Sequence, residues 1–405
     1  MKTPNKWLMF IVLMLSAIMV CISQLKISAV LPDVAAMLGV DLTRAALLMS
    51  LFTVAGIVLS IPGAAIMTKV GAKSTLLVLM ATLALGNVLG ALTDSFTVMM
   101  ASRIIEGISY ALIITVSIWL INIWFAHGGA AVATGIFNTF APVAIIVTLN
   151  GSLVVMNTIG LKALWWIVAG ATAVCFFLVL WIIKVTPPAA QDGSGVGATA
   201  KPGICEAFKN PAVMTICIAH LFLSFVLFAF ITCYPQLFTF YNLSQETSNF
   251  YTSLNGVFGI PVCILIGIII EKTGKPFVVA IIGAIGTILL SITVPLLLPG
   301  SYVWHVIACA MFPGGFVMTS IFVIVPRIAK SPLLIGMSMG ILNTLYYIGV
   351  FASTPVITGL SLENTTWTVP SIAMTGAAVV VLLCMVIASG LAKKQAAAPT
   401  TPDPE

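Results

Sequence analysis

Twelve long apolar runs divide this chain, and they constrain its fold more than any other feature. A helix needs about 20 apolar residues to cross the hydrocarbon core of a membrane, and inside that core the backbone must satisfy its own hydrogen bonds. The sequence therefore predicts an all-α polytopic membrane protein with twelve transmembrane helices. Breaks at charged residues, proline and glycine place these spans 1 to 12 at about 7–32, 45–68, 74–93, 96–125, 130–153, 163–184, 211–240, 248–271, 276–298, 302–328, 334–359 and 368–392.

The composition excludes a soluble fold. Hydrophobic residues make up 60% of the chain and charged residues only 7%, with a mean hydropathy of +1.19, whereas soluble domains carry about 25% charged residues. The first run follows Lys2 and Lys6 as a signal peptide would, but it is too long, so we interpret it as a retained span. Since the eight cysteines include no C-x-x-C pair and most lie in apolar runs, neither a metal site nor a disulfide framework is expected.

Lysine and arginine in the short loops predict the orientation. One side has only Arg44 and Lys162, so both termini and the central linker are expected to be cytoplasmic, in a cell membrane. This bias also accounts for the net charge of +6, so binding to nucleic acid is not expected. The thirteen basic residues of the other side are Lys2, Lys6, Lys69, Lys73, Lys184, Lys201, Lys209, Lys272, Lys275, Arg327, Lys330, Lys393 and Lys394.

Two similar phrases suggest that the chain contains two copies of one six-helix unit. "GIFNTF" begins at Gly135 and "GILNTL" at Gly340, 205 residues later, while Lys69 and Lys272 occupy equivalent loops 203 residues apart. Six spans in each half give both halves the same orientation, as in transporters with parallel repeats. The predicted organisation is a six-helix bundle over 1–184, a cytoplasmic linker over 185–210, a second bundle over 211–392 and a disordered cytoplasmic tail over 393–405.

Three segments resemble the major facilitator superfamily. "GIIIEKTGK" at 267–275 matches the loop motif of that family, "RIIEG" at 103–107 resembles its Arg-x-x-x-Gly motif, and "ISAVLPDVAAMLGV" resembles the end of its first span, with Pro32 ending the helix. The resemblance implies a cavity lined by spans 1, 4, 7 and 10 and bordered by spans 5 and 11. The first copy of the loop motif departs from the family, because Thr68 replaces its acidic residue.

The loops after spans 2 and 8 are the predicted gating loops. A structural role explains much of their pattern, because glycine permits the reversal of the chain and lysine binds anionic lipid headgroups. The resemblance adds a gating role, in which the acidic residue holds the cytoplasmic side closed. The residues concerned are Lys69, Gly71, Lys73, Gly267, Glu271, Lys272, Gly274 and Lys275.

Charged residues inside spans mark candidate functional sites. Arg103 lies about 10 Å deep in span 4, with Glu106 three residues later on nearly the same helix face. They could form a structural pair, or Arg103 could bind an anionic substrate while Glu106 exchanges a proton. Lys26 could extend to the outer headgroups or face the cavity. No acidic residue lies in the middle of another span to offset these cations, which favours an anionic substrate.

The remaining candidates are neutral. His220 could be a helix–helix contact, a proton relay or a ligand contact. Asn138 and Asn343 could pack helices together or contact the substrate, and Tyr110, Tyr346, Tyr347 and Gln24 are further cavity candidates.

These observations predict a secondary transporter for a small solute. An organic or inorganic anion moved with protons or in exchange is favoured over export of neutral or lipophilic compounds, and a transporter-like receptor is a weaker alternative. No Walker motif, cofactor site or catalytic cluster is present in the sequence, so an enzyme is not expected. The expected partners are the solute and membrane lipids, and the expected state is a monomer.

Overall fold

The computed structural model describes residues 5–27, 30–184, 204–298, 300–329, 332–363 and 367–397, and this part of the chain is helical throughout apart from short connections. In the first half, span 1 is Lys6–Leu25, followed by a short helix at Leu31–Leu38. Spans 2, 3, 4 and 6 are Leu42–Val70, Ala72–Leu92, Phe96–Trp124 and Ala163–Ile182. Span 5 consists of two helices, Ala130–Phe137 and Phe140–Ile159.

The second half repeats this arrangement after a short helix at Ile204–Phe208. Spans 7, 8 and 9 are Pro211–Phe240, Gln245–Thr273 and Pro276–Ile292. A 3₁₀ turn at Val294–Leu296 follows span 9. Span 10 combines the helices Tyr302–Cys309 and Met318–Ile328 with a π-helix at Ala310–Val317 between them. Spans 11 and 12 are Pro332–Glu363 and Thr368–Ala397.

The twelve predicted spans agree with these helices. Eleven are long and apolar enough to cross a membrane, and the twelfth, span 9, is an apolar helix of 17 residues, which is at the short end of the range for a spanning helix. The largest difference is the end of span 1, which is predicted at residue 32 but lies at Leu25, while span 5 ends six residues later than predicted and span 9 ends six residues earlier. Pro32 lies in the first turn of the next helix, where its missing N–H costs nothing, so it begins a helix rather than ending one.

Two breaks inside spans have local causes. In span 5, Asn138 and Thr139 separate the two helices. Pro142 has no N–H to donate to the carbonyl group of Asn138, four residues earlier, so the helical ladder is interrupted there. In span 10, the wide π turn contains Pro313 followed by Gly314 and Gly315. The repeated Asn-Thr phrase therefore lies at a break in span 5 but inside a continuous helix in span 11.

The ends that flank the central linker lie on one face of the bundle, which we call the linker side. The backbone N–H of Lys184 contacts the sulfur of Met9, near the start of span 1. Asn210 donates to the carbonyl oxygen of Ile328 and accepts from the side chain of Gln395 in span 12. Both described chain ends are therefore on the linker side, as the predicted topology requires.

The two predicted irregular segments are partly helical. Residues 204–208 of the predicted linker form a helix, and span 12 continues to Ala397, so residues 393–397 of the predicted disordered tail are helical instead. Span 12 is stabilised in this extension by the hydrogen bond between Gln395 and Asn210, with an N–O distance of 2.8 Å. Residues 185–203 and 398–405 lie outside the described residues.

The two halves meet along two edges. The first edge consists of span 5 against spans 8 and 10, and the second edge consists of span 11 against spans 2 and 4. Spans 5 and 11, 8 and 2, and 10 and 4 are equivalent in the sequence repeat. The edges are therefore related by the same duplication that the sequence indicates.

Candidate functional site

Three charged side chains form a buried ionic cluster in the first half. The Nζ atom of Lys26 lies 2.9 Å from Oε2 of Glu106, and Nη1 of Arg103 lies 2.6 Å from the same oxygen. All three side chains are at most 1% exposed. The Arg103–Glu106 pair, which was one of the two alternatives, is present in this structure, and Lys26 joins it instead of extending to the headgroups. Two cations share one carboxylate, which leaves one positive charge in excess when Glu106 is ionised.

Polar residues that the sequence pattern did not single out complete the cluster. Ser23 donates from Oγ to Glu106 Oε2 at 2.7 Å and accepts from the Asn87 amide at 3.1 Å. The Nζ atom of Lys26 donates to Oδ1 of Asn87 and to Oγ of Ser23. Ser102 donates to Glu106 Oε1 at 3.2 Å. The available signal was an amide, Asn87, in the middle of the apolar span 3, since such groups are costly in lipid without partners.

The guanidinium group of Arg103 also holds the end of span 1. It donates to the carbonyl oxygens of Ser23 at 2.9 Å and Gln24 at 3.1 Å, and to that of Leu48 in span 2 at 3.2 Å. The last carbonyl groups of a helix have no partners within the helix, and Arg103 supplies donors for two of them. This contact explains how the helix can end at Leu25 within a buried region.

Aromatic rings connect the ionic cluster to the interface between the halves. The guanidinium carbon of Arg103 lies 4.5 Å from the ring centre of Phe52, and the Phe52 ring lies 5.2 Å from that of Tyr110. Tyr110 contacts Tyr347 of the second half at 5.0 Å, and the hydroxyl group of Tyr347 donates to the carbonyl oxygen of Tyr110. Tyr346 lies beside Tyr347 at 5.2 Å. The structure thus brings the predicted cavity residues Tyr110, Tyr346 and Tyr347 together.

His220 extends this aromatic group into span 7. Its ring is stacked on Tyr346 at 5.1 Å and lies 5.6 Å from Phe322. The side chain is fully buried, and among the described residues neither ring nitrogen has a hydrogen-bond partner. An unpaired buried polar group is costly. A polar solute could bond to either ring nitrogen, or a proton could bind there, without displacing an existing partner. No group of three or more potential metal-binding side chains occurs in the described part of the chain.

Asn138 and Asn343 bond to threonines rather than to this group, and Asn343 lies one turn before Tyr346 in span 11. Asn138 donates to Oγ1 of Thr319 at 3.0 Å, and Asn343 donates to Oγ1 of Thr115 at 2.9 Å. Each bond joins one half of the protein to the other. In this structure, the two amides therefore hold helices together, as the packing alternative predicts.

The second gating loop forms hydrogen bonds between the halves, and its counterpart residue in the first loop forms none among the described residues. Glu271 accepts from the backbone N–H groups of Gly129 at 2.8 Å and Ala131 at 3.1 Å, at the start of span 5. A carboxylate is favourable at a helix N-terminus. Its counterpart Thr68 donates to Ala65 of its own helix.

The other loop residues have mainly local roles. Gly71 and Gly274 have φ angles of 90° and 66°, which glycine adopts without strain. Lys73 donates to the carbonyl oxygen of Leu180 at the end of span 6, at 2.8 Å. Lys69, Lys272 and Lys275 are exposed at the linker side. Gly267 lies inside span 8 against span 5, where a Cβ atom would approach the carbonyl oxygen of Ala131 to 2.7 Å.

Comparisons with known proteins identify the same architecture. A family model described as Major Facilitator Superfamily matches residues 9–354. The chain is similar to the crystal structure of the transporter FucP in the outward conformation, with a TM-score of 0.76 and 13% identity over 94% of this chain and 98% of that one. It is also similar to the human organic anion transporter MFSD10 (TETRAN), with a TM-score of 0.73 and 15% identity over 95% and 100%. A further match is a variant of the E. coli fucose:proton symporter FucP, with a TM-score of 0.73 and 12% identity over 94% and 98%. These identities establish the fold alone.

Proposed function

Because this chain belongs to the Major Facilitator Superfamily of membrane transporters, we propose that it carries a small organic or inorganic anion across the membrane by alternating access. The observation that carries the proposal is the charge balance of the ionic cluster, in which Lys26 and Arg103 share the single carboxylate of Glu106. A buried cation requires a counter-charge. One anion bound near the cluster would neutralise the remaining positive charge.

The same charge balance favours coupling to a proton. Protonation of Glu106 removes its negative charge and leaves Lys26 and Arg103 with two uncompensated positive charges. Anion binding would then be stronger, and by reciprocity a bound anion would favour protonation of Glu106 by the same factor. Transport of an anion together with a proton follows from this linkage, and exchange of one anion for another is the alternative that needs no proton.

Binding of an anion would require a change of partners within the cluster. The Nζ atom of Lys26 donates to Glu106, Ser23 and Asn87, while Arg103 donates to Glu106 and three carbonyl oxygens. In this state, the three bonds of Lys26 use all three donors of its ammonium group, and the four bonds of Arg103 use four of the five N–H donors of its guanidinium group. We propose that a protonated Glu106 releases Lys26 to the anion, whereas Arg103 keeps its contacts with the end of span 1.

We propose that the solute enters through the aromatic group between the halves. Tyr110, Tyr346 and Tyr347 offer hydroxyl groups or ring faces, and His220 offers two nitrogens without a hydrogen-bond partner in the described part of the chain. The contact of Arg103 with Phe52, and of Phe52 with Tyr110, makes this group continuous with the ionic cluster. The two together would form one site between the halves, with His220 as a second candidate for proton coupling.

Export of neutral or lipophilic compounds is the second candidate function. The observation that favours it is the ring contact between Tyr110 and Tyr347, which crosses between the halves and has further rings of the second half beside it. In that case, the ionic cluster would serve only to hold spans 1 to 4 together. A transporter-like receptor remains a weaker alternative.

The surroundings proposed for the protein follow from its charge distribution. We propose a monomer in the cell membrane, with the linker side facing the cytoplasm and its lysines contacting anionic lipid headgroups. The two basic residues of the opposite side form ion pairs, Lys162 with Asp94 at 2.8 Å and Arg44 with Asp41 at 3.7 Å. The excess of basic residues on the linker side, and the neutralised basic residues on the opposite side, support the orientation predicted from the loops.

A thermal-shift screen of the purified protein tests the proposed solute class. Sulfate, a small sulfonate and a series of carboxylates are compared with a neutral sugar and with lipophilic cations across pH. Ligands that bind the folded state raise the apparent melting temperature. Sulfate and sulfonate stay ionised throughout, so a stronger shift at lower pH would report protonation of the protein.

Matched lysine variants locate the site. Lys26→Met should abolish the shift caused by the anion, whereas Lys162→Met, which removes a lysine outside the cluster, should keep it. Equal anion shifts in wild type and Lys26→Met would refute the proposed site. Shifts with lipophilic compounds alone would favour the export function instead.

A further inference from the structure

Two equivalent hydrogen bonds cross between the halves, one at each edge. At the first edge, Asn138 of span 5 donates to Thr319 of span 10; at the second, Asn343 of span 11 donates to Thr115 of span 4. The asparagines are 205 residues apart in the chain and the threonines are 204 apart. The same bond has therefore been formed twice, with the roles of the two halves exchanged.

Close glycine contacts accompany each bond. At the first edge, a Cβ atom on Gly135 would lie 2.6 Å from the carbonyl oxygen of Cys263 and 2.8 Å from Cα of Gly267. At the second, a Cβ atom on Gly340 would lie 2.8 Å from the carbonyl oxygen of Ser60 and 2.7 Å from Cβ of Ala64. These partners are again related by the repeat, at an offset of 203 residues. A glycine three residues before each asparagine therefore lets span 5 approach span 8, and span 11 approach span 2, at the same edge as the asparagine's bond.

The bonds lie nearer to the linker side than Tyr110 and Tyr346 do. Asn138 is eight residues from the start of span 5 at Ala130, and Thr115 is nine residues from the end of span 4 at Trp124. At 1.5 Å per residue, these positions are about 12–14 Å from the linker-side ends. The two halves must separate at this level before a solute at Tyr110 and Tyr346 can leave towards the linker side.

In both asparagines, the side-chain amide has only part of its hydrogen-bonding capacity satisfied. Asn138 is 6% exposed and Asn343 is fully buried, yet among the described residues neither amide oxygen Oδ1 has a hydrogen-bond partner. Separation of the halves would admit water to these oxygens. The free-energy cost of leaving these oxygens unpaired opposes the free energy gained from the two hydrogen bonds. The closed arrangement is therefore only weakly favoured, and the halves can separate repeatedly.

We propose that the two Asn–Thr bonds form a paired gate, which sets the fraction of molecules that are closed on the linker side. The inference rests on the alternating-access transport proposed above, but not on the identity of the solute. The two asparagines, for which the sequence allows helix packing or solute contact, are assigned to the gate. The gate can therefore be tested without any solute, and its failure would leave the anion proposal standing.

Hydrogen–deuterium exchange on the full-length protein in lipid nanodiscs tests the gate. Asn138→Ala and Asn343→Ala should each raise exchange in the linker-side halves of spans 4, 5, 10 and 11 by about threefold, the effect of one average interhelical hydrogen bond in a membrane. The double variant should raise it by about ninefold, because distant sites add in free energy. Exchange near 94–101 and 160–165, on the opposite side, should not rise.

Control variants separate the gate from a loss of local packing. Asn122→Ala removes an amide whose bond within the described residues is to Ile118 of its own helix, so it should leave the second half unchanged. Thr115→Val keeps the side-chain volume and should have the effect of Asn343→Ala, with no further effect when the two are combined. The proposal is overturned if the Asn138 and Asn343 variants behave like the Asn122 variant, or if exchange rises equally on both sides of the membrane.

Discussion

Lys26 and Glu106 are 80 residues apart in the chain, yet Nζ of the lysine lies 2.9 Å from Oε2 of the glutamate in a region shielded from solvent. The carboxylate is shared with Arg103, which also donates to carbonyl oxygens at the end of span 1. The same cluster therefore holds the first bundle together and carries the excess charge on which the proposed function depends. These two roles can be separated, because the three residues differ in the groups to which they are hydrogen-bonded.

The stability of each variant should depend on which hydrogen bonds its substitution removes. Arg103→Met leaves carbonyl groups of span 1 without their donor and should cost about 3–5 kcal/mol, as does removal of one partner of a buried ion pair. Lys26→Met leaves the Arg103–Glu106 pair intact and balanced, so it should cost clearly less. Thermal unfolding in detergent measures both. A Lys26→Met protein as unstable as Arg103→Met would contradict the described hydrogen bonds.

His220→Phe should preserve stability while abolishing transport. A phenyl ring can pack against Tyr346 and Phe322 without two unpaired nitrogens, so the melting temperature should stay the same or rise. The proposed hydrogen bond to the solute, or the proposed site of proton binding, would be lost. Uptake into proteoliposomes, compared with a His127→Ala control in an exposed loop, checks this prediction. Wild-type uptake by His220→Phe would exclude the histidine from the site.

Thr68→Glu should strengthen the second edge of the interface. Thr68 lies near Gly336, with 4.0 Å between its Cγ2 and the position of a glycine Cβ atom, and Gly336 is equivalent in the repeat to Ala131, which donates to Glu271. Span 11 begins at Pro332, so the N–H of Gly336 lies within the helical ladder, and a glutamate at position 68 would act through its charge near the first turns of span 11. Hydrogen exchange in spans 2 and 11 on the linker side should slow. Thr68→Gln, which lacks the charge, should have a smaller effect; an equal effect would show that the charge is not responsible.

Gly135→Ala and Gly340→Ala should force the linker side apart. The added Cβ atoms would meet backbone oxygens of the other half at 2.6 Å and 2.8 Å, and overpacking of this kind costs about 1–3 kcal/mol. Hydrogen exchange near Asn138 and Asn343 should rise. Gly151→Ala, at a position with no neighbouring atom within 4 Å, is the matched control. Unchanged exchange in the first two variants would mean that the glycines do not set the approach of the halves.

The sequence was sufficient for the spans, their repeat and the charged residues of the cluster, because these depend on composition and spacing. It was not sufficient for the hydrogen-bond partners of the polar residues inside the spans. Asn343 bonds to Thr115, 228 residues away, and Asn138 to Thr319, 181 residues away, so the choice of threonine depends on how the halves pack. The break in span 5 had a local signal in Pro142, whereas the early end of span 1 depends on Arg103 from another span.

The most direct test of the central claim is proton movement coupled to an anion in proteoliposomes. The protein is reconstituted with a fluorescent pH indicator inside the vesicles, and an anion that raises the melting temperature is added outside. Wild-type protein should acidify the interior as the anion enters. Glu106→Gln should still exchange anion for anion but should no longer carry protons, because the amide cannot ionise. Coupled acidification at the wild-type ratio by Glu106→Gln would contradict the account.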